Sequence, residues 1–177
     1  MYTNKLHPGD TFPDIEVNTL TGDRVNLKSR KNGTDWKMVL VYRGKHCPIC
    51  TKFLNALEKY KDDLYDAGID LVAVSADSEQ QLQAHLEDID INYPIAYGLS
   101  EDDMQALGVY VSEPMSENET DHNFSEPALF IINKDDALQV ADVANNPFVR
   151  PDLDQLISGL QWIRDPDNNY PIRGTHK

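Results

Sequence analysis

The sequence predicts an α/β protein, a mixed central sheet covered on both faces by helices. Three observations predict it. Runs of consecutive apolar residues within Lys37–Tyr42 and Leu71–Ser75 read as strands buried on both sides. Each is followed by a segment whose apolar residues recur at helical spacing. Later, a proline-opened run, Ala128–Ile132, is followed by a turn and a returning strand, so the sheet ends in a hairpin and a last helix. With 177 residues and no linker composition, the chain reads as one domain spanning 1–177 with room for a sizeable core.

The elements follow in order. PGDTFPDIEVNTLTGDRVNL opens with turn residues and alternates around Thr21-Gly22-Asp23, a short N-terminal hairpin. Met38 to Tyr42 form the first buried strand. From Pro48 onward Ile49, Phe53, Ala56, Leu57, Tyr60 and Leu64 mark the apolar face of a helix that Gly68 ends. LVAVS is the second buried strand, and a helix lies around Ser78–Asp88. INYPIAY reads as another short strand, and Glu101–Leu107 as a short helix closed by Gly108. Ser112–Glu126 is acidic and lacks periodicity, which predicts a surface loop. Leu138–Val143 returns as a strand. The final helix carries Leu153, Leu156, Ile157, Leu160 and Ile163 on one side, started by Pro151 and stopped at Asp165-Pro166.

The net charge of −14 argues against nucleic-acid and anionic-membrane partners, which need clustered Lys and Arg. Its distribution is uneven. Residues 1–61 hold 11 Lys/Arg against 6 Asp/Glu, and residues 62–177 hold 5 against 24. The N-terminus is polar, without the charged-then-apolar layout of a secretion signal, and no run suits a membrane span, so the expected setting is the cytoplasm.

Inside the basic third stands YRGKHCPIC, holding the only two cysteines of the chain, Cys47 and Cys50, directly after the apolar strand. In a reducing compartment a close pair points to catalysis or metal binding rather than to a structural disulfide. Zinc needs four ligands, and His7, His46, His85, His122 and His176 stand at no ligand spacing, so no metal is expected. No phosphate-binding glycine loop follows a strand, so no cofactor is expected either. With Cys47 at the N-cap and Pro48 at the first helical position, both sulfurs face the positive end of the helix dipole. Arg43, Lys45 and His46 add cationic character, and all of these favour the nucleophilic thiolate. Cys47, at the exposed end, is expected to attack and the more buried Cys50 to resolve. His46, with an ordinary pKa near neutrality, is the candidate proton acceptor.

YRGKHCPIC, EPALFIINKDDALQ, NNPFVRPDLDQLISGLQWI and the opening PGDTFPDIEVNTLTGDRVNL together resemble the alkyl hydroperoxide reductase C/thiol-specific antioxidant family of peroxiredoxin-like proteins. The resemblance covers nearly the whole chain, and its most specific parts are YRGKHCPIC and NNPFVRPD. It implies a thioredoxin-like fold with an N-terminal extension, a thiol-based antioxidant oxidoreductase, and Pro127 as a cis-proline facing the cysteine pair. It also allows a homodimer. The family's proline-x-x-x-threonine/serine-x-x-cysteine pattern is restored by neither alignment: placing Cys50 at its cysteine puts Arg43 at the proline and Cys47 at the threonine, and placing Cys47 there puts Leu40 and Gly44 at those positions. Arg43 is the candidate for the family's active-site arginine charge.

The expected function is a cytoplasmic thiol-disulfide oxidoreductase in which Cys47 and Cys50 reduce peroxides or protein disulfides and are recharged by a thiol electron donor. The alternative is a non-enzymatic, redox-responsive binding module whose pair alters partner binding through the acidic loop Ser112–Glu126.

Overall fold

The computed structural model describes residues 2–177. Five strands form the central sheet: β3 (Trp36–Val41), β4 (Ile69–Val74), β5 (Ile95–Ala96), β8 (Ala128–Ile132) and β9 (Leu138–Val143), in the order β5-β4-β3-β8-β9. β3 runs parallel to β4, and β4 to β5, whereas β8 runs antiparallel to both β3 and β9. The mixed sheet is the predicted one.

Why β3 reads as an unbroken apolar run is visible in its packing. Met38, Leu40 and Tyr42 enter one core, while Val39 and Val41 enter the other. The first core is covered by α1 (Pro48–Glu58), α2 (Lys61–Asp66) and α5 (Leu153–Arg164), which contribute Leu54, Leu57, Leu64, Ile157 and Leu160. The second is covered by α4 (Glu101–Leu107), through Met104 and Leu107, and by Phe12 and Ile15 of the N-terminal segment. α3 (Glu79–His85) starts at a reciprocal capping box between Ser78 and Gln81. The N-terminal hairpin pairs β1 (Glu16–Asn18) with β2 (Arg24–Asn26), Val17 opposite Val25. Among the described residues no helix is long and apolar enough to cross a membrane.

Three expectations are corrected. The helix expected to run from Pro48 to Gly68 is two helices, because the backbone leaves helical geometry at Tyr60 (φ −105°, ψ 0°). The Glu58 side chain just before the break accepts hydrogen bonds from the backbone and side-chain nitrogens of Asn92, which ties this corner to the segment leading into β5. The last helix is capped by Asp152, whose carboxylate accepts the Gln155 amide at 2.9 Å; Pro151 lies just outside it. The acidic segment is not a loop free of the body. Its ends pair as β6 (Val111–Ser112) and β7 (Phe124–Ser125), and Phe124, Ser125 and Glu126 are buried.

The topology brings four chain segments to one end of the sheet. β3 leaves the sheet beyond Val41, β4 beyond Val74, and β9 beyond Val143, while β8 enters at Ala128 opposite both Val41 and Val143. The cysteine pair, Asp77, the entry from β7 and the loop before α5 therefore meet there.

Candidate active site

Between β3 and α1 the chain turns in six residues, Tyr42 to Cys47. Gly44 has φ +140°, in the region that favours glycine. A Cβ placed on it would stand 2.5 Å from Asp77 Oδ1, so the turn also needs the missing side chain for room. Gly44→Ala is expected to lower unfolding stability by about 2 kcal/mol, combining backbone strain with the clash. Thermal and denaturant unfolding with unchanged m-value would measure it; a loss within a few tenths of a kcal/mol would contradict the packing described.

Asp77, 1% exposed, braces this turn from the loop after β4, accepting the Lys45 amide at 2.8 Å on Oδ2. The helix then starts as the sequence predicts: Cys47 is the N-cap, Pro48 occupies the first turn, and Cys47 Sγ accepts the Cys50 amide at 3.2 Å. Cys47 and Cys50 are joined as a disulfide, their Cα atoms 5.2 Å apart. That separation is within the ordinary range for a bridge, so one helical turn closes it without moving the backbone.

The expected difference in exposure is not found. Cys47 is 2% exposed and Cys50 is fully buried, both lying in the core cluster with Tyr42, Phe53 and Leu129, against which Ile49 packs. The group that separates them is Arg150, from the loop between β9 and α5. Its Nη2 donates to Cys50 Sγ at 3.0 Å, its Nε donates to the Pro147 carbonyl at 2.7 Å, and its guanidinium lies 5.1 Å from the Phe53 ring centre. Burial presses the Arg150 pKa down, as does the charge of Arg43, while Glu126 opposes both.

Arg43, the candidate for that charge, is engaged elsewhere. Its Nε reaches the two Glu126 carboxylate oxygens at 2.9 and 3.1 Å, its Nη2 lies 3.5 Å from Glu119, and it stacks over Phe124. Burial pushes the Glu126 carboxyl up, with Arg43 holding it down in part. His46 packs on Phe124 at 4.4 Å between ring centres, and neither of its buried ring nitrogens has a hydrogen-bond partner. Its pKa is lowered by burial first and by Arg43 second, so the neutral imidazole is favoured. Pro127 lines a narrow recess with Phe53, Val149 and Arg150. It is not cis: among the described residues no peptide bond is. The chain stays extended there, the Glu126 amide bonding to the Tyr110 carbonyl and the Pro127 carbonyl accepting from Ala144.

Sequence reasoning missed Arg150, although it lies inside the NNPFVRPD segment singled out as specific. It also missed Asp77, His122, Glu119 and Glu126, three of which fall in the segment read as a solvated loop. Buried His85 bonds to half-buried Thr51, with Nε2 2.7 Å from Thr51 Oγ1, and Thr51 in turn donates to the Cys47 carbonyl at 3.3 Å.

The AhpC/TSA family profile matches residues 8–141. The chain belongs to the AhpC/TSA family. A 1-Cys peroxiredoxin of Medicago truncatula is 25% identical over 141 residues, covering 75% of this chain and 62% of that protein. The chain thus spans less than two thirds of the length of the curated relatives it matches. Among solved structures, a cysteine-to-serine mutant of the peroxiredoxin 6 of Arenicola marina superposes with a TM-score of 0.75 at 19% identity, covering 92% of this chain and 75% of that one. Mycobacterium tuberculosis AhpC gives 0.72 at 18% identity, covering 93% and 96%. These likenesses place the AhpC/TSA chain in the thioredoxin-like fold, with the β1–β2 hairpin as its N-terminal extension.

Proposed function

We propose that the protein is a thiol-dependent peroxidase in which Cys50 attacks and Cys47 resolves. The observation that carries this reading is the Arg150 guanidinium, 3.0 Å from Cys50 Sγ, with the Cys47 sulfur at bonding distance one turn away. A fixed positive charge stabilises the thiolate and the negative charge that develops on the leaving oxygen. This reverses the order expected from exposure, since burial does not distinguish the sulfurs and the guanidinium does.

The chemistry balances in two steps. Cys50 thiolate attacks one oxygen of a hydroperoxide, the O–O bond breaks, and the departing alkoxide or hydroxide takes a proton, leaving Cys50 as a sulfenic acid. Cys47 then attacks the Cys50 sulfur, forming the disulfide and releasing water. A dithiol donor reduces the pair by exchange, which calls for a compartment that keeps thiols reduced, the cytoplasm being such a one. Burial of both sulfurs favours a small peroxide over a protein disulfide as substrate.

One equivalent of hydrogen peroxide, added to the reduced protein, is expected to be consumed with loss of two hydrogen atoms in intact mass and of both free thiols. No consumption, or consumption with both thiols still titratable, would count against the reading.

A redox-responsive binding module has one observation in its favour: Glu119 and Glu126 tie the β6–β7 segment to Arg43, so a change at the pair can reach that surface. Identical partner sets for reduced and oxidised protein would remove it.

A further inference from the structure

His122 lies in the β6–β7 segment and makes two contacts that constrain its protons. Nδ1 is 2.8 Å from the Asn123 carbonyl oxygen, and Nε2 is 3.1 Å from Asp77 Oδ1. A carbonyl oxygen cannot donate, so Nδ1 carries a hydrogen. If Asp77 is ionised, Nε2 carries one as well; if Asp77 is protonated, its own hydrogen fills that bond. In both cases the pair holds one proton more than a neutral imidazole beside a carboxylate. Removing that proton breaks one of the two hydrogen bonds.

The bond at stake leads to the redox turn. Asp77 gives its other oxygen to the Lys45 amide, two residues before Cys47, and its own backbone is fixed by Gly98 and Ser75. The segment that carries His122 also presses Glu119 and Glu126 on Arg43 and Phe124 on His46. Gly44–Cys47 is thus gripped between Asp77 and this segment, with His122 joining the two sides.

Resting on the redox reading above, we propose that His122 is a positioning residue: through Asp77 it holds the Gly44–Cys47 turn, and its proton gives the site a pH dependence separate from that of the thiols. The charged groups around it are Asp77 from the loop after β4, Asp121 from its own segment, His46 from the redox turn with Arg43 and Glu119 beside that ring, and Glu101 of α4, which bonds Asn123. The hydrogen bond to Asp77 raises the His122 pKa above its ordinary value, burial opposing and the Asn123 carbonyl assisting. For a raised pKa the grip is complete below the ordinary imidazole value and is lost as pH rises through the raised one.

The test is a titration of the oxidised protein by nuclear magnetic resonance, following the His122 ring and the Lys45 and Cys47 amides. All three are expected to move with one midpoint above 6.5, the ordinary histidine value, and the amide movement is expected to vanish in His122→Gln. In single turnover with hydrogen peroxide, His122→Gln is expected to be slower than the unaltered protein by about five- to tenfold at pH 6, the two converging at pH 8. Amides that titrate identically in the variant, a His122 ring that titrates at or below its ordinary value, or a defect equal at both pH values would overturn the proposal. The resonance arm needs no activity, and the ring titration needs no variant. A protein that shows the titration but consumes no peroxide would overturn the peroxidase reading and leave the grip standing.

Discussion

Cys50→Ser is expected to bring peroxide consumption down to the protein-free background, a loss on the order of 10³-fold or more, because it removes the proposed nucleophile. Cys47→Ser is expected to behave differently. The helix start survives, since a serine oxygen is a good N-cap acceptor for the Cys50 amide that Cys47 Sγ now receives. The first peroxide is then consumed at close to the unaltered rate, but no disulfide forms, and Cys50 is left as a sulfenic acid open to further oxidation. Stopped-flow kinetics with one and with many equivalents of peroxide separate the two variants. If instead Cys47→Ser abolished the first turnover and Cys50→Ser kept it, the assignment of attacking and resolving sulfur would be reversed.

The second large effect is expected at Arg150. Arg150→Met keeps an apolar stem over Phe53 and removes the donor to Cys50 Sγ, together with the bond to the Pro147 carbonyl. Loss of one donor aimed at developing charge in a site shielded from water costs about 10²-fold in rate. The same change is expected to raise the Cys50 thiol pKa, so part of the rate should return as pH is increased. Arg150→Lys, which restores the charge without the planar fork, is expected to fall between the two. A packing role alone predicts a lower melting temperature with the thiol pKa unmoved, and that result would contradict the electrostatic account.

What the sequence made legible was local or periodic. β3 announced itself because residues on both of its faces are apolar, and the structure sends Met38 and Leu40 to one core and Val39 and Val41 to the other. The N-cap at Cys47 with Pro48 behind it is a rule of adjacent residues, and it holds. The break at Tyr60 was hidden because Tyr60 and Leu64 continue the helical spacing across it; only Asn92, far along the chain, reveals that Glu58 is turned outward to another segment. β6 and β7 are two residues each, too short for alternation to show.

The cysteine pair of the candidate site was legible in the sequence, and its environment was not. Cys47 and Cys50 are three residues apart, whereas Arg150 reaches Cys50 across 100 positions of sequence. Arg43 stood nearer in the chain and was the natural candidate, but Glu126 and Glu119 hold it. Those acids were read as solvated surface because their composition resembles a loop. The burial of Glu126 follows from the pairing of β7 with β6 and from the entry into β8, neither of which composition reports.

The charge that Arg150 lends to Cys50 is read directly from the thiolate absorbance of the reduced protein as a function of pH, taken for the unaltered chain, Cys47→Ser and Arg150→Met. The Cys50 thiol is expected to titrate below the free-thiol value, about 8.5, and to rise toward it on loss of the guanidinium. A Cys50 thiol that titrates at or above the free value, indifferent to Arg150, would contradict the account.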